Sequence, residues 1–268
     1  MEWNNDIIKF MTDMTHVRAR ANVMRVTRAE KLGQSQLTAD PSDYEFTTEV
    51  APVSEDNTMR VARRELEPHP YAKLIKASRN LLRLSSQAES LILERFGIIR
   101  AYTEEKAFLT GSGSAEPLGL FTVSNDGIPA SRDKPFSNTQ TAITADSLIQ
   151  TKYELKVGHR NPSVWIFHRE AIGQLATLKD TAGQYVLRMS LREGDPDILI
   201  GQPLLESEFA PNTFTTGLNV GLIGNLRYYH IVEQEASAIQ RLDELFAVTD
   251  EIGFITRPTP GARRCRAE

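Results

Sequence analysis

Five histidines, one cysteine and several closely spaced carboxylates are where this 268-residue sequence offers chemistry. His16, His69, His159, His168 and His230 have no spacing that sets two of them on one helix face, and there is no H-E-x-x-H. The nearest pair, His159 and His168, is separated by a predicted turn and strand, so a shared metal site is not expected. Cys265 stands alone, which excludes an intramolecular disulfide or a multi-cysteine metal site. Paired catalytic acids need burial to shift a pKa. Glu104, Glu105, Asp195 and Asp197 lie among polar neighbours, which predicts a solvated face. Gly111-Ser112-Gly113-Ser114 looks like a phosphate cradle, but phosphate loops open helices and meet the positive dipole end, whereas this run closes one. It reads as a turn. With no G-x-S-x-G elbow and no Walker loop, the sequence predicts no catalytic, cofactor-binding or metal-ligating residue.

The clearest element is a long helix from Ser86 to Leu109. Ala88, Ile92, Phe96, Ile99 and Tyr102 recur at helical spacing, with Glu89, Arg95, Arg100, Glu104 and Glu105 off the stripe. Ser85 or Ser86 is positioned to cap its start, and Gly111 suits a left-handed cap at its end. Gly97 weakens its middle by about 1 kcal/mol relative to alanine. Upstream, residues 40–66 read as a hairpin with strands Tyr44–Val50 and Met59–Leu66 around the polar turn Ser54–Asn57. An isolated hairpin with few large apolar side chains is marginal in water. It is therefore expected to project and find its partner on another subunit, through Glu55, Asp56, Asn57, Arg60, Arg63 and Arg64. Residues 14–39 carry Arg18, Arg20, Arg25, Arg28 and Lys31 against Glu30 alone. They read as an extended arm, either a solvated basic tail or one lying on a neighbouring acidic surface or nucleic acid.

Downstream, Thr144 can cap a helix whose Ile149, Tyr153 and Val157 share a face. The strand Val164–Phe167 follows, then a helix over 170–179 with Ile172, Leu175 and Ala176 on one side. Later strands are predicted at Ile198–Ile200, Val220–Ile223, Tyr228–Val232 and Leu245–Thr249. Helices grouped early and strands late favour α+β. Lys and Arg number 31 against 35 Asp and Glu, a net charge of −4, which excludes a purely electrostatic nucleic-acid binder. The amino terminus carries Glu2, Asp6 and Asp13 without an apolar run of signal-peptide length, so a cytosolic protein, or one assembled in a cytosol, is expected.

Several segments together carry a resemblance. They are Thr48–Val53 before the charged hairpin, KLIKASRNLL (73–82), and EEKAFLTGSGSAEPLGLF (104–121) with its turn residues Gly111, Gly113, Pro117 and Gly119. VWIF, LKDTAGQY, IGQPLLES and YYHIVEQEASAIQRLDELFAVTDEIGF follow in order. From about residue 40 to residue 257 the chain resembles the tailed-phage major capsid proteins of the Hong Kong 97 type. The resemblance implies an α+β fold with an amino-terminal arm (1–39), an extended hairpin loop (40–70), a peripheral domain (71–139 and 241–268) built on a spine helix (86–110), and an axial domain (140–240). It also implies a structural head subunit of a tailed bacteriophage or prophage, with no catalysis, cofactor or membrane contact. Such subunits form pentamers and hexamers and close an icosahedral shell, assembled in the bacterial host cytoplasm, around non-specifically packaged DNA. A maturation protease, a portal and a scaffold are the implied partners. Because only the arm precedes the hairpin, the scaffold is expected to be a separate protein, or the gene a trimmed prophage copy. The short ending PTPGARRCRAE departs from the longer tails of the family. The alternatives are an encapsulin-type nanocompartment shell and, more remotely, a hydrolase or transferase whose site forms only in three dimensions, in a deep pocket with convergent polar groups.

Some shells of this type are cross-linked when a hairpin lysine attacks a neighbour's asparagine, which needs an uncharged amine and a carboxylate base. No lysine occurs between Lys31 and Lys73, and the corresponding position falls at about Arg63, whose guanidinium stays protonated. Denaturing electrophoresis of assembled particles is expected to show a single 30.0 kDa band. A ladder that survives boiling and reductant would contradict this.

Overall fold

A computed structural model describes residues 15–264 apart from 27–31, 40, 45, 47–54, 86, 125–126, 135, 137, 139–141, 180–182, 186–196, 216, 235–238 and 259. Its first half runs α1 (His16–Arg20), β1 (Asn22–Val26), β2 (Leu32–Ala39), β3 (Arg60–Leu66), β4 (Lys73–Ser78), α2 (Arg79–Leu84) and the long α3 (Ala88–Thr110). There follow α4 (Ala145–Glu154), α5 (Val157–Arg160), β5 (Val164–Phe167), α6 (Arg169–Thr177), β6 (Ile198–Leu199), β7 (Gln202–Glu206), β8 (Gly221–Gly224), β9 (Tyr229–Gln234), β10 (Ile239–Leu242), β11 (Glu251–Thr256) and β12 (Pro260–Arg264). The fold is α+β, with the strands in four small sheets ordered β1-β9-β12, β10-β11-β4, β2-β3 and β6-β7-β5-β8.

Strand β5 shows how the sequence builds the later half. All four of its residues are buried because both of its faces are covered. Alternate side chains feed different cores. Val164 and Ile166 join Phe108, Leu109 and Tyr229, whereas Trp165 and Phe167 join Leu148, Leu175 and Leu199. The Trp165 indole stacks on Phe167 at 5.6 Å and donates to the Leu199 carbonyl at 3.2 Å. The predicted cap is present: the Thr144 hydroxyl accepts the Ser147 N–H at 3.3 Å to start α4. At the start of α6, His168 Nδ1 accepts the Glu170 N–H at 3.2 Å.

The glycine turn after α3 works differently from the expected left-handed cap. Gly111 is extended (φ −60°, ψ 143°), and it is Gly113 that takes φ 80°. The chain then doubles back, so that Leu120 and Phe121 donate to the Phe108 and Leu109 carbonyls at 2.9 and 2.8 Å, satisfying orphan acceptors of the helix end. Gly119 donates to the Gly111 carbonyl at 2.9 Å. The return passes so close that a Cβ on Gly111 would strike the Pro117 and Ala107 carbonyls, and one on Gly119 would lie 2.6 Å from the Leu109 oxygen. Glycine is required at both places for space.

Five other expectations need correction. The buried face of α3 carries Phe96, Arg100, Ala101, Glu104, Glu105 and Phe108, while Ile99 and Tyr102 are exposed. Charged pairs replace apolar side chains on its second half, which an apolar stripe cannot reveal. Its first turn has Gln87 as N-cap without a side-chain bond, Ser85 instead closes α2, and Ser86 lies outside the described residues. On α4 it is Ser147 and Leu148 that are buried, and Ile149, Tyr153 and Val157 face outward. Residues 247–249 form a 3-10 turn ending at Asp250 with φ 53°, so the strand starts only at Glu251. The hairpin pairs β3 with β2, Leu37 opposite Val61 and Leu32 opposite Leu66; Tyr44 and Phe46 are not in a strand, and 47–54 lie outside the described residues. Part of the supposed arm is therefore ribbon. Another part is core, since Val17 and Arg18 are buried and β1 runs parallel to β9.

Phe96 packs with Ala77, Ile252 and Phe254 in the core beneath α3. Phe96→Ala is expected to cost about 3 to 5 kcal/mol, and Ile99→Ala a few tenths. Denaturant unfolding of both variants checks this assignment of the face, and equal losses would reverse it.

Candidate assembly interface

Three parts of the chain distant in sequence meet at a buried ring of charge. Arg18 on α1 donates to Glu104 Oε2 at 3.0 Å and to Glu233 Oε2 at 2.7 Å. Arg100, one turn before Glu104 on α3, donates to Glu104 Oε1 at 2.8 Å and to Glu233 Oε1 on β9 at 2.7 Å. Each guanidinium bridges two carboxylates and each carboxylate two guanidiniums, with all four side chains buried. The Tyr71 hydroxyl, from the segment that leaves the ribbon, donates to Glu104 Oε1 at 2.6 Å. Burial first, then the adjacent Glu104, pushes Tyr71 far above the usual phenol range, so it remains a donor. Burial opposes the charge on Glu233, but Arg18 and Arg100 outweigh it and hold the carboxyl below its ordinary value.

Glu105, the next residue, has no such cation. Both of its oxygens accept the Val17 N–H, at 3.3 and 3.4 Å, and burial pushes its pKa up to about 7 against the pull of the Val17 and His16 amides. The solvated face read from the sequence at Glu104 and Glu105 is thus an interior one. Of the other two acids in that reading, Asp197 sits at the start of β6, where its carbonyl accepts the Leu204 N–H at 2.8 Å, and Asp195 lies outside the described residues.

The ribbon carries the predicted contact residues. Glu55, Asp56, Asn57, Arg60 and Arg63 are exposed, and Arg64 pairs in register with Gln34. Asp56 is already committed within the ribbon. It accepts from Thr58 N and Oγ1 at 2.8 and 2.7 Å and from Ser42 N and Oγ at 2.7 and 3.1 Å, bonds that lower its pKa to about 2. Arg63 lies over Gly33, where a Cβ would meet its guanidinium. Sequence reasoning missed the apolar component. Leu37, Tyr44, Phe46, Met59 and Val61 are all exposed on the ribbon or its loop. The two-residue spacing of Met59 and Val61 was a readable signal, but Leu37 fell in a segment taken for arm.

A cavity of about 650 Å³ lies between α4, the β5 sheet and residues 120–142. Its polar groups pair with one another, Asn219 donating to Asp133 at 2.9 Å and Lys134 bridging to Glu154 at 2.6 Å, beside an apolar wall of Trp165, Phe167 and Phe214. No nucleophile is set against a base there. Of the histidines, His168 caps α6, His230 Nδ1 is 3.2 Å from Asn22 Nδ2, and the His159 ring packs edge-on to Tyr228 at 5.2 Å. Among the described residues no three His, Cys, Asp or Glu side chains gather as a metal site would need, and no helix is long and apolar enough to cross a membrane. Cys265 lies outside the described residues.

Because the folded state binds the Glu105 proton more tightly than an unfolded chain does, this residue's stabilisation is full below about pH 4.5 and is lost as pH rises through 7. Glu105→Gln keeps an acceptor for the arm amides. It is expected to flatten that slope and raise stability at pH 8 by on the order of 3 kcal/mol, measured by chemical denaturation across pH 4 to 9. An unchanged pH profile would refute the assignment.

No curated protein sequence matches the chain. Its fold matches solved capsids. The subunit of "Capsid of empty GTA particle computed with C5 symmetry" aligns with TM-score 0.74 at 23% identity over 94% of this chain and 86% of that one. Its native-particle counterpart gives 0.75 at 22% over the same shares. The protein of Mycobacterium phage Cain gives 0.64 at 12% identity over 94% and 84%. The sequence model of the phage capsid family matches residues 1–260. Since that match takes in the arm, the ribbon, α3 with its glycine turn and the strands that follow, the chain belongs to the phage capsid family, and it is a structural protein rather than an enzyme.

Proposed function

We propose that the chain is the major head subunit of a tailed phage, prophage or GTA-like particle, closing an icosahedral shell through rings of five and six copies. The observation that carries this is the ribbon β2–β3. It exposes Leu37, Met59 and Val61 beside Arg60 and Arg63, and its own subunit does not cover them. In a shell of repeated heterologous contacts the same ribbon lies across a neighbour, which removes this apolar surface from water. The family match favours a phage-type head over an encapsulin-type compartment, whose cargo enzyme has no counterpart in this reading.

The proposed division keeps an arm, an extended hairpin loop to residue 70, a peripheral domain of 71–139 and 241–268 around α3, and an axial domain of 140–240. It takes the ribbon's first strand from residues 32–39. A separate scaffold, a maturation protease, a portal and non-specifically held DNA complete the set of partners, and assembly takes place in the host cytoplasm.

Negative-stain microscopy of the purified chain, alone and with a coexpressed scaffold, is expected to show rings of five or six subunits or closed shells. A strictly monomeric chain under both conditions would overturn the reading. The paired change Met59→Ser with Val61→Ser is expected to reduce assembly at least tenfold while the melting temperature of the monomer stays within about 2 °C, since both side chains are exposed.

A further inference from the structure

Ile149, Tyr153 and Val157 recur every four residues, the spacing of a buried helical stripe, yet they are 43, 62 and 76% exposed. The stripe is built, not incidental. The Arg160 guanidinium sits 4.7 Å from the Tyr153 ring centre and Lys152 Nζ 5.9 Å, while Arg160 also donates to the Leu155 carbonyl at 3.0 Å and Lys152 to the Ile200 carbonyl at 2.6 Å. An outward aromatic is thereby held between two anchored cations, with Lys156 following in sequence. Arg160 lies just ahead of the amino-terminal end of β5. At the other end of that strand, β5 and β7 run parallel with Phe167 opposite Glu206, which brings Glu206, Glu208 and Glu170 to one edge. All three are exposed, and Arg169 is the adjoining cation, 3.5 Å from Glu208. The four residues of β5 separate the two ends by about 13 Å. A basic aromatic end and an acidic end on one body suit head-to-tail contact, in which unlike patches meet and a ring closes.

We propose that Ile149, Tyr153 and Val157, with their basic rim, form a seam that docks on a second copy of this chain at the edge bearing Glu170, Glu206 and Glu208. This rests on the shell reading above and adds which surfaces meet within a ring. Opposite charges steer the approach, the tyrosine supplies the apolar anchor at the centre, and the ion pairs form the rim.

Two complementary variants of the full chain test it by sedimentation velocity and negative stain. Tyr153→Glu spoils the basic end and leaves the acidic one; Glu170→Lys with Glu208→Lys does the reverse. Each alone is expected to raise the concentration for half-assembly at least tenfold, with the monomer's melting temperature unchanged because these side chains are exposed. Mixed in equal amounts they are expected to form dimers of one copy of each, since one intact end of each variant remains. Val157→Glu is a second seam variant with the same expectation. Rings formed by Tyr153→Glu as readily as by the wild type, or a mixture that stays monomeric, would overturn the seam alone. A wild-type chain that forms no ring would overturn the shell reading, and the seam with it.

Discussion

Burying Arg18, Arg100, Glu104 and Glu233 together imposes a condition on most of the remaining architecture. Four charges out of water are tolerable only when every one is matched, because an unmatched partner left in the interior costs several kcal/mol. The arm must therefore be docked for α3 to keep Glu104 inside, and β9 must be in place for either arginine to be there. Tyr71 extends the condition to the segment leaving the ribbon. An apolar core of similar size would accept several packings. This ring accepts one, since a slip of α3 by a single residue would point Arg100 and Glu104 elsewhere.

That same ring explains what the sequence could and could not disclose. Local signals were legible. The Thr144 cap, the buried strand Val164–Phe167 and the helix after it follow from residue type and period alone, and so does the existence of a long helix ending at a glycine turn. What failed was every judgement requiring knowledge of a distant partner. Glu104 and Glu105 look solvated until Arg18, 86 residues away from Glu104, is brought against them. Residues 32–39 look like arm until Arg60–Leu66 pairs with them, and the charge-rich composition of both limbs hides the pairing. The stripe on α4 was identified correctly as apolar and wrongly as interior to the subunit, a distinction that burial within one chain alone can make.

Surface and interior thus divide the labour differently from an enzyme of this size. The polar groups nearest the largest cavity are spent on one another, and the perturbed carboxyl, Glu105, faces backbone amides rather than open space. The features without an internal partner are instead spread outward: the ribbon's Met59 and Val61, and Tyr153 between its cations. A molecule organised this way has its unsatisfied chemistry on the outside, where copies meet.

The parallel pairing of β1 with β9 has a mechanical consequence. Asn22 lies beside His230 and Val26 beside Gln234, so the two strands start at the same end. Tension that draws the arm back along its own axis, away from the chain leaving β9, loads all five registered pairs at once instead of peeling them one after another. Bonds loaded in shear yield together and at higher force than bonds unzipped in turn. The arm is accordingly attached as a load-bearing joint, and a shell stretched from within would distort the exposed ribbon before it stripped the arm from the spine helix.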